Sequence, residues 1–141
     1  MIISPYLNAT ELHKVCLGYT FDMNIENLLK EKSIKLTTAR VALMELLTVA
    51  PKPVCYEDIK ESISMDKATF YRNMVTFEQE GLLNAFESPN KMRYFELRLV
   101  PHAHFVCTVC NGVECIEGID LQLSGYEINN IIINGVCKNC S

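Results

Sequence analysis

Asp66-Lys67-Ala68-Thr69-Phe70-Tyr71-Arg72-Asn73-Met74-Val75-Thr76-Phe77-Glu78-Gln79-Glu80-Gly81 is the stretch on which the fold turns. Both of its ends are marked. Asp66 can cap the start of a helix with its carboxylate, and Gly81 suits the left-handed conformation that closes one. Phe70, Met74 and Phe77 fall at i, i+4 and i+7 and predict a core stripe, while Thr69, Arg72, Asn73 and Thr76 follow i, i+3, i+4 and i+7 on another face. That second face is polar, and no acidic residue occurs between Lys67 and Phe77. A solvated helix face would look similar. The missing carboxylates, which phosphates would repel, favour a face that meets nucleic acid.

Three helices are expected before it. Asn24 can cap a helix carrying Ile25, Leu28 and Leu29, and Thr37 can cap one carrying Val41, Met44 and Leu47 on a single stripe. Ala50-Pro51-Lys52-Pro53 must break the second, because proline cannot continue a helix, and residues 57–63 predict a short third. After Gly81, residues 82–86 and 93–97 read as strands around the turn signal Ser88-Pro89-Asn90. Helices followed by a hairpin describe a winged helix. The second helix of a helix-turn-helix lies in the major groove, and Lys67, Thr69, Tyr71, Arg72 and Asn73 suit contacts to bases and phosphates there.

The 141 residues are 49% hydrophobic and 21% charged, with a net charge of −4. That composition excludes disorder and collagen-like repeats and describes one or two small domains. The charge is unevenly placed: eleven of the thirteen Lys and Arg lie in residues 30–98. No apolar run approaches the roughly 18 residues of a membrane span, and the first residues lack the pattern of a signal peptide. A cytoplasmic location without membrane association is therefore expected, and there seven cysteines point to metal or redox chemistry more than to structural disulfides. Residues 1–22 show no clean periodicity and read as an arm of open role.

Beyond a hinge at residues 98–101, residues 102–141 are too few for a self-sufficient core. Cys107-x-x-Cys110 and Cys137-x-x-Cys140, 26 residues apart, can staple this part by presenting four thiolates to a tetrahedral Zn2+. A redox-active pair or a rubredoxin-like iron site is the alternative. Cys16, Cys55 and Cys115 stand alone. His102 and His104 alternate in a β-like run, so both imidazoles can reach one metal. Glu96, Cys115, Glu114 and Glu117 are candidate companions, and Zn2+, Fe2+ and Mn2+ are not separated by spacing alone.

Taken in order, these residues resemble the ferric uptake regulator family of bacterial metal- and peroxide-sensing repressors. The likeness covers roughly residues 24–141. Leu36-Thr37-Thr38-Ala39-Arg40 is similar to the family's Leu-Thr-x-x-Arg helix opening, and Ala68-Thr69-Phe70-Tyr71-Arg72 to the Ala-Thr-Val-Tyr-Arg of its recognition helix. Glu80-Gly81-Leu82 and Arg93-Tyr94-Phe95-Glu96-Leu97 resemble the end of that helix and the wing. His102-x-His104-x-x-Cys107-x-x-Cys110 and Gly135-Val136-Cys137-x-x-Cys140 resemble the metal-binding half.

The resemblance implies an α+β chain. A winged-helix DNA-binding domain at 23–97 would precede a small zinc-stapled α/β dimerisation domain at 102–141, forming a homodimer on a double-stranded DNA operator. It further implies structural zinc on Cys107, Cys110, Cys137 and Cys140, a regulatory metal near Glu96, His102, His104 and Cys115, and DNA contacts from Tyr71 and Arg72 with help from Arg40. The chain departs from the family in having about ten fewer residues between its Cys pairs, leaving only a short helix near residues 118–125. It also has Pro53 and Asn129 or Asn130 where histidines are usual. Cys115 falls near the place of a carboxylate ligand, which would make a softer site, or else it is an inert buried thiol. The function expected is a metal-dependent repressor of metal-uptake or oxidative-stress genes. One alternative is a relative that has lost metal sensing and is constitutive or thiol-responsive; another is a thiol-disulfide oxidoreductase. No Ser/His/Asp arrangement, glycine-rich phosphate loop or paired carboxylates point to an enzyme.

Overall fold

The structure, a computed structural model, describes residues 24–98, 102–119 and 121–141. The arm at 1–22, including Cys16, and all of the hinge but Arg98 lie outside the described residues.

Each long helix begins where a short polar side chain takes up an orphan backbone N–H. The Asn27 N–H donates to Asn24 Oδ1 at 2.9 Å at the head of α1 (Ile25–Glu31). The Arg40 N–H donates to Thr37 Oγ1 at 3.2 Å at the head of α2 (Thr38–Val49). After the proline break come a two-residue strand, β1 (Val54–Cys55), and α3 (Tyr56–Ile59), which tightens into a 3₁₀ turn over Lys60–Ser62. The third helix is thus shorter and earlier than the apolar spacing predicts. The Cys55 N–H donates to Asp58 Oδ2 and sets the start one residue upstream.

The Thr69 N–H donates to Asp66 Oδ1 at 2.9 Å and opens α4 (Lys67–Gln79). At its other end Gly81 takes φ +76°, and the Leu82 N–H reaches back to the Phe77 carbonyl at 2.9 Å. That bond satisfies a carbonyl the helix leaves open and turns the chain into β2 (Leu83–Glu87). With β3 (Arg93–Leu97) it forms the hairpin, and β1 adds to the far side of β3, giving an antiparallel sheet in the order β1-β3-β2.

Alternation along β3 gives the hairpin two different faces. Phe95 and Leu97, with Leu83, join Leu29, Leu43, Met44, Phe70, Met74 and Phe77 in the main core. Tyr94, paired with Phe86 across the hairpin, turns the other way and joins Cys55, Val106 and Val113 in a second apolar cluster. Burial pushes the Tyr94 hydroxyl up to about 12, so it stays protonated.

The second cluster joins the wing to another sheet of three strands in the order β5-β4-β6: β5 (Val113–Ile116), β4 (Ala103–Cys107) and β6 (Ile131–Gly135). β4 runs antiparallel to β5 and parallel to β6. Gly135 is required by close approach: a Cβ there would stand 3.1 Å from the Phe105 ring. The short helix expected near residues 118–125 is absent among the described residues, where Gly118 and Gly125 take φ +74° and +81°. Helical φ is negative, so these glycines mark turns instead.

Phe77 is fully buried at the centre of the main core. Phe77→Ala is expected to cost about 3–5 kcal/mol, read as a lower midpoint in urea unfolding; an unchanged midpoint would contradict this packing.

Candidate metal centres and nucleic-acid face

Parallel pairing of β4 with β6 places Cys107 beside Gly135, so the turns that follow the two strands lie together. Both Cys-x-x-Cys segments are in those turns. The four sulfurs of Cys107, Cys110, Cys137 and Cys140 fall within 4.8 Å of one another. The Cys110 and Cys137 N–H groups donate to Cys107 Sγ at 3.5 and 3.4 Å, and the Val109 N–H does so at 3.4 Å. These donors, that of Cys110 foremost, bring the Cys107 thiol down to about 6. Cys140, beside Cys137 and burdened by its sulfur neighbours, is driven up to about 12. Four clustered sulfurs, one already stabilised as a thiolate, fit a tetrahedral thiophilic ion.

The second centre is assembled from three strands. Glu96 comes from β3, His102 from the residue just before β4, His104 from β4 itself, and Cys115 from β5 directly opposite His104. Their donor atoms also lie within 4.8 Å of one another. His104 Nε2 is 3.0 Å and His102 Nε2 3.3 Å from Glu96 Oε2. The site is dry: the side chains of His102, His104 and Glu96 are 13%, 0% and 10% exposed. Burial would raise the Glu96 carboxyl, but the hydrogen bonds from His102 and His104 prevail and hold it below the usual carboxylate range. The buried Nδ1 of His104 takes no hydrogen bond. Two imidazoles and a carboxylate around one point are the donor set of a divalent-cation site.

This centre is tied to the wing by packing. The Phe86 ring stacks on His104 at 5.2 Å and on Tyr94 at 5.5 Å. Asn130 Nδ2 donates to the Ala85 carbonyl at 3.2 Å, and Arg98 donates to Asn129 Oδ1 at 3.3 Å. Of the two asparagines weighed for the usual histidine, Asn130 therefore contacts the wing and Asn129 the hinge residue Arg98, and Pro53 is fully buried. Of the other companions weighed from sequence, Glu114 sits opposite Phe105 on the other face of the sheet, and Glu117, beyond β5, is outside the four-residue cluster. Cys115 corrects the expectation of an inert buried thiol: it is half-buried and disulfide-bonded.

On α4, Arg72 is exposed, and Lys67 projects over the Tyr56 ring at 5.5 Å with a side chain 62% exposed. Thr69 is half-buried. Tyr71 is half-buried too, packed against Tyr56, Phe70 and Phe95. Asn73, placed on the outer face by periodicity, is 9% exposed and turned inward, where its Oδ1 accepts from Arg40 Nε at 3.1 Å. Arg40 also donates to the Lys35 carbonyl at 2.9 Å. Asn73 thus orients Arg40 and does not present its amide to a groove. Sequence reasoning missed the Phe86–His104 stack; apolar residues on both faces of the hairpin were the available signal.

A winged helix joined to a sheet-borne pair of candidate metal centres defines a DNA-binding regulator class. The ferric uptake regulator family model matches residues 31–132, and the chain belongs to that family, whose members are transcription regulators and not enzymes. It is 28% identical over 129 residues to the ferric uptake regulation protein of Neisseria meningitidis, covering 79% of this chain and 90% of that one. It is 25% identical over 128 residues to the peroxide operon regulator of Bacillus subtilis, covering 80% and 88%. The ferric uptake regulator of Vibrio cholerae superposes with a TM-score of 0.66 at 21% identity, covering 81% of this chain and all of that one. The manganese-bound regulator of Pseudomonas aeruginosa gives 0.65 at 23% identity, covering 82% and 99%.

Cys110→Ser is expected to abolish tight zinc retention and to strip hydrogen-exchange protection from β4 and β6 while sparing the main core. Elemental analysis beside exchange mass spectrometry checks this. Full retention of metal and protection would show that the four sulfurs are not a staple.

Proposed function

We propose that this protein is a metal-dependent, DNA-binding transcriptional repressor of metal-uptake or oxidative-stress genes, acting in the cytoplasm as a homodimer without catalytic activity. The observation that carries this is the buried Glu96–His102–His104 cluster, which spans the wing and the second sheet. Residues 23–97 form the DNA-binding domain, 98–101 the hinge and 102–141 the zinc-binding dimerisation domain. Zn2+ on Cys107, Cys110, Cys137 and Cys140 is structural. A second divalent ion, Fe2+, Mn2+ or Zn2+, is the signal. Names among the relatives, ferric uptake regulation and peroxide operon regulation, support both the class and the range of signals.

The ion's role follows from where its ligands sit. Drawing Glu96 and the two histidines onto one centre fixes the angle between wing and second sheet, and hence the spacing of two α4 helices in a dimer. Only an ion that binds the DNA-competent angle better than others shifts the population toward it. Arg72 and Lys67 project from α4 toward the major groove, Thr69 and Tyr71 line the same helix, and Arg40, steered by Asn73, reaches a phosphate. The exposed Ile119, Leu121, Leu123 and Tyr126 supply apolar surface that a second copy would cover. The oxidoreductase alternative fares poorly because both Cys pairs converge on one four-sulfur cluster.

Duplexes selected by the protein from a randomised library, titrated at fixed salt, test the proposal. Mn2+ or Zn2+ should tighten binding by about 5–150-fold, and His104→Ala should remove that gain while keeping the zinc of the four-cysteine site. Arg72→Ala should weaken binding by about 1–3 kcal/mol. Metal-independent affinity in the wild type would refute the sensory role of the cluster.

A further inference from the structure

Cys115 holds two positions at once. It stands directly opposite His104 across β4 and β5, which puts both side chains on one face of the sheet. Its sulfur lies within 4.8 Å of the donor atoms of Glu96, His102 and His104. The same sulfur is disulfide-bonded, and the other described cysteines are all free thiols. Beside it the fully buried His104 keeps Nδ1 without a hydrogen bond, and a buried polar atom left so calls for an explanation at its site.

We propose that Cys115 makes this cluster a thiol-gated metal site: reduced Cys115 joins Glu96, His102 and His104 as fourth ligand of a borderline-soft divalent ion, and its oxidation to a disulfide removes that ligand and weakens ion binding. This rests on the cluster being the metal site proposed above. A thiolate donor beside two imidazoles moves preference toward zinc or cobalt and away from manganese and magnesium, which suit oxygen donors. The thiolate, not the disulfide, is the ligand. In the oxidising step two thiols lose two electrons and two protons to a hydroperoxide. The O–O bond breaks to leave an alcohol and water, and an S–S bond forms between Cys115 and a second cysteine. A dithiol reductant reverses the step by exchange. Ion and disulfide compete for one sulfur, so signal metal and oxidant act in opposite directions on the same strand pair.

The test uses full-length protein with zinc already in the four-cysteine site, titrated with Co2+, whose thiolate-to-metal charge-transfer absorption reports a sulfur ligand. Reduced wild type is expected to take one cobalt with that band. Cys115→Ser should bind cobalt more weakly by at least the roughly 10- to 100-fold that losing a mere outer-shell partner costs, and without the band. Hydroperoxide-treated wild type should match the variant until dithiothreitol restores it, its zinc content unchanged throughout. A band that persists in Cys115→Ser, or equal cobalt affinity before and after hydroperoxide, would overturn the gate while leaving the metal site standing. If no cobalt binds beyond the four-cysteine site in any state, the gate and the metal site fall together.

Discussion

One carboxylate holds the molecule's two halves in register. Glu96 leaves β3 on the face away from the helices and takes both imidazoles of the β4 segment in a nearly dry space. A buried carboxylate without partners would be expensive, and here its cost is met by two hydrogen bonds from another sheet. Moving the wing relative to β4 would therefore uncover a charge, at a cost in free energy. That coupling is what a bound cation would strengthen, and the Phe86 ring stacked on His104 carries any shift of the imidazole into the hairpin.

The four-cysteine cluster solves a different problem. β5, β4 and β6 bury few large side chains between them, and Ile119, Leu121, Leu123 and Tyr126 lie exposed in the connection that follows β5. A sheet this small needs a cross-link. Pairing β4 with β6 in parallel puts the two Cys-x-x-Cys turns at adjacent strand ends, where a single ion can close the sheet.

Much of this was legible in the residues. Asn24, Thr37 and Asp66 each cap the helix assigned to them, and Phe70, Met74 and Phe77 are fully buried as their spacing required. Local rules suffice for such features because caps and stripes are set within one or two turns. What escaped was non-local. Periodicity put Asn73 on the solvent side, but it could not see that Arg40 on α2 would reach it. The two-residue β1 carries too little pattern to register. The hairpin's second buried face, and with it Tyr94 and Phe86, depended on a sheet some twenty residues further along the chain. At the second metal centre the ligand types were readable from His102, His104 and Glu96. The engagement of Cys115 was not, because a thiol and a disulfide are the same letter in a sequence.

Metal sensing by this chain requires one divalent ion that bridges the wing and the second sheet through Glu96, His102 and His104. Anomalous diffraction from crystals of the protein grown with Zn2+ measures this most directly. Two peaks per chain are expected, one among the four cysteine sulfurs and one about 2.0–2.2 Å from a Glu96 oxygen and an imidazole nitrogen of each histidine. A single peak at the cysteines, with Glu96 still hydrogen-bonded to both imidazoles at full zinc occupancy, would contradict it.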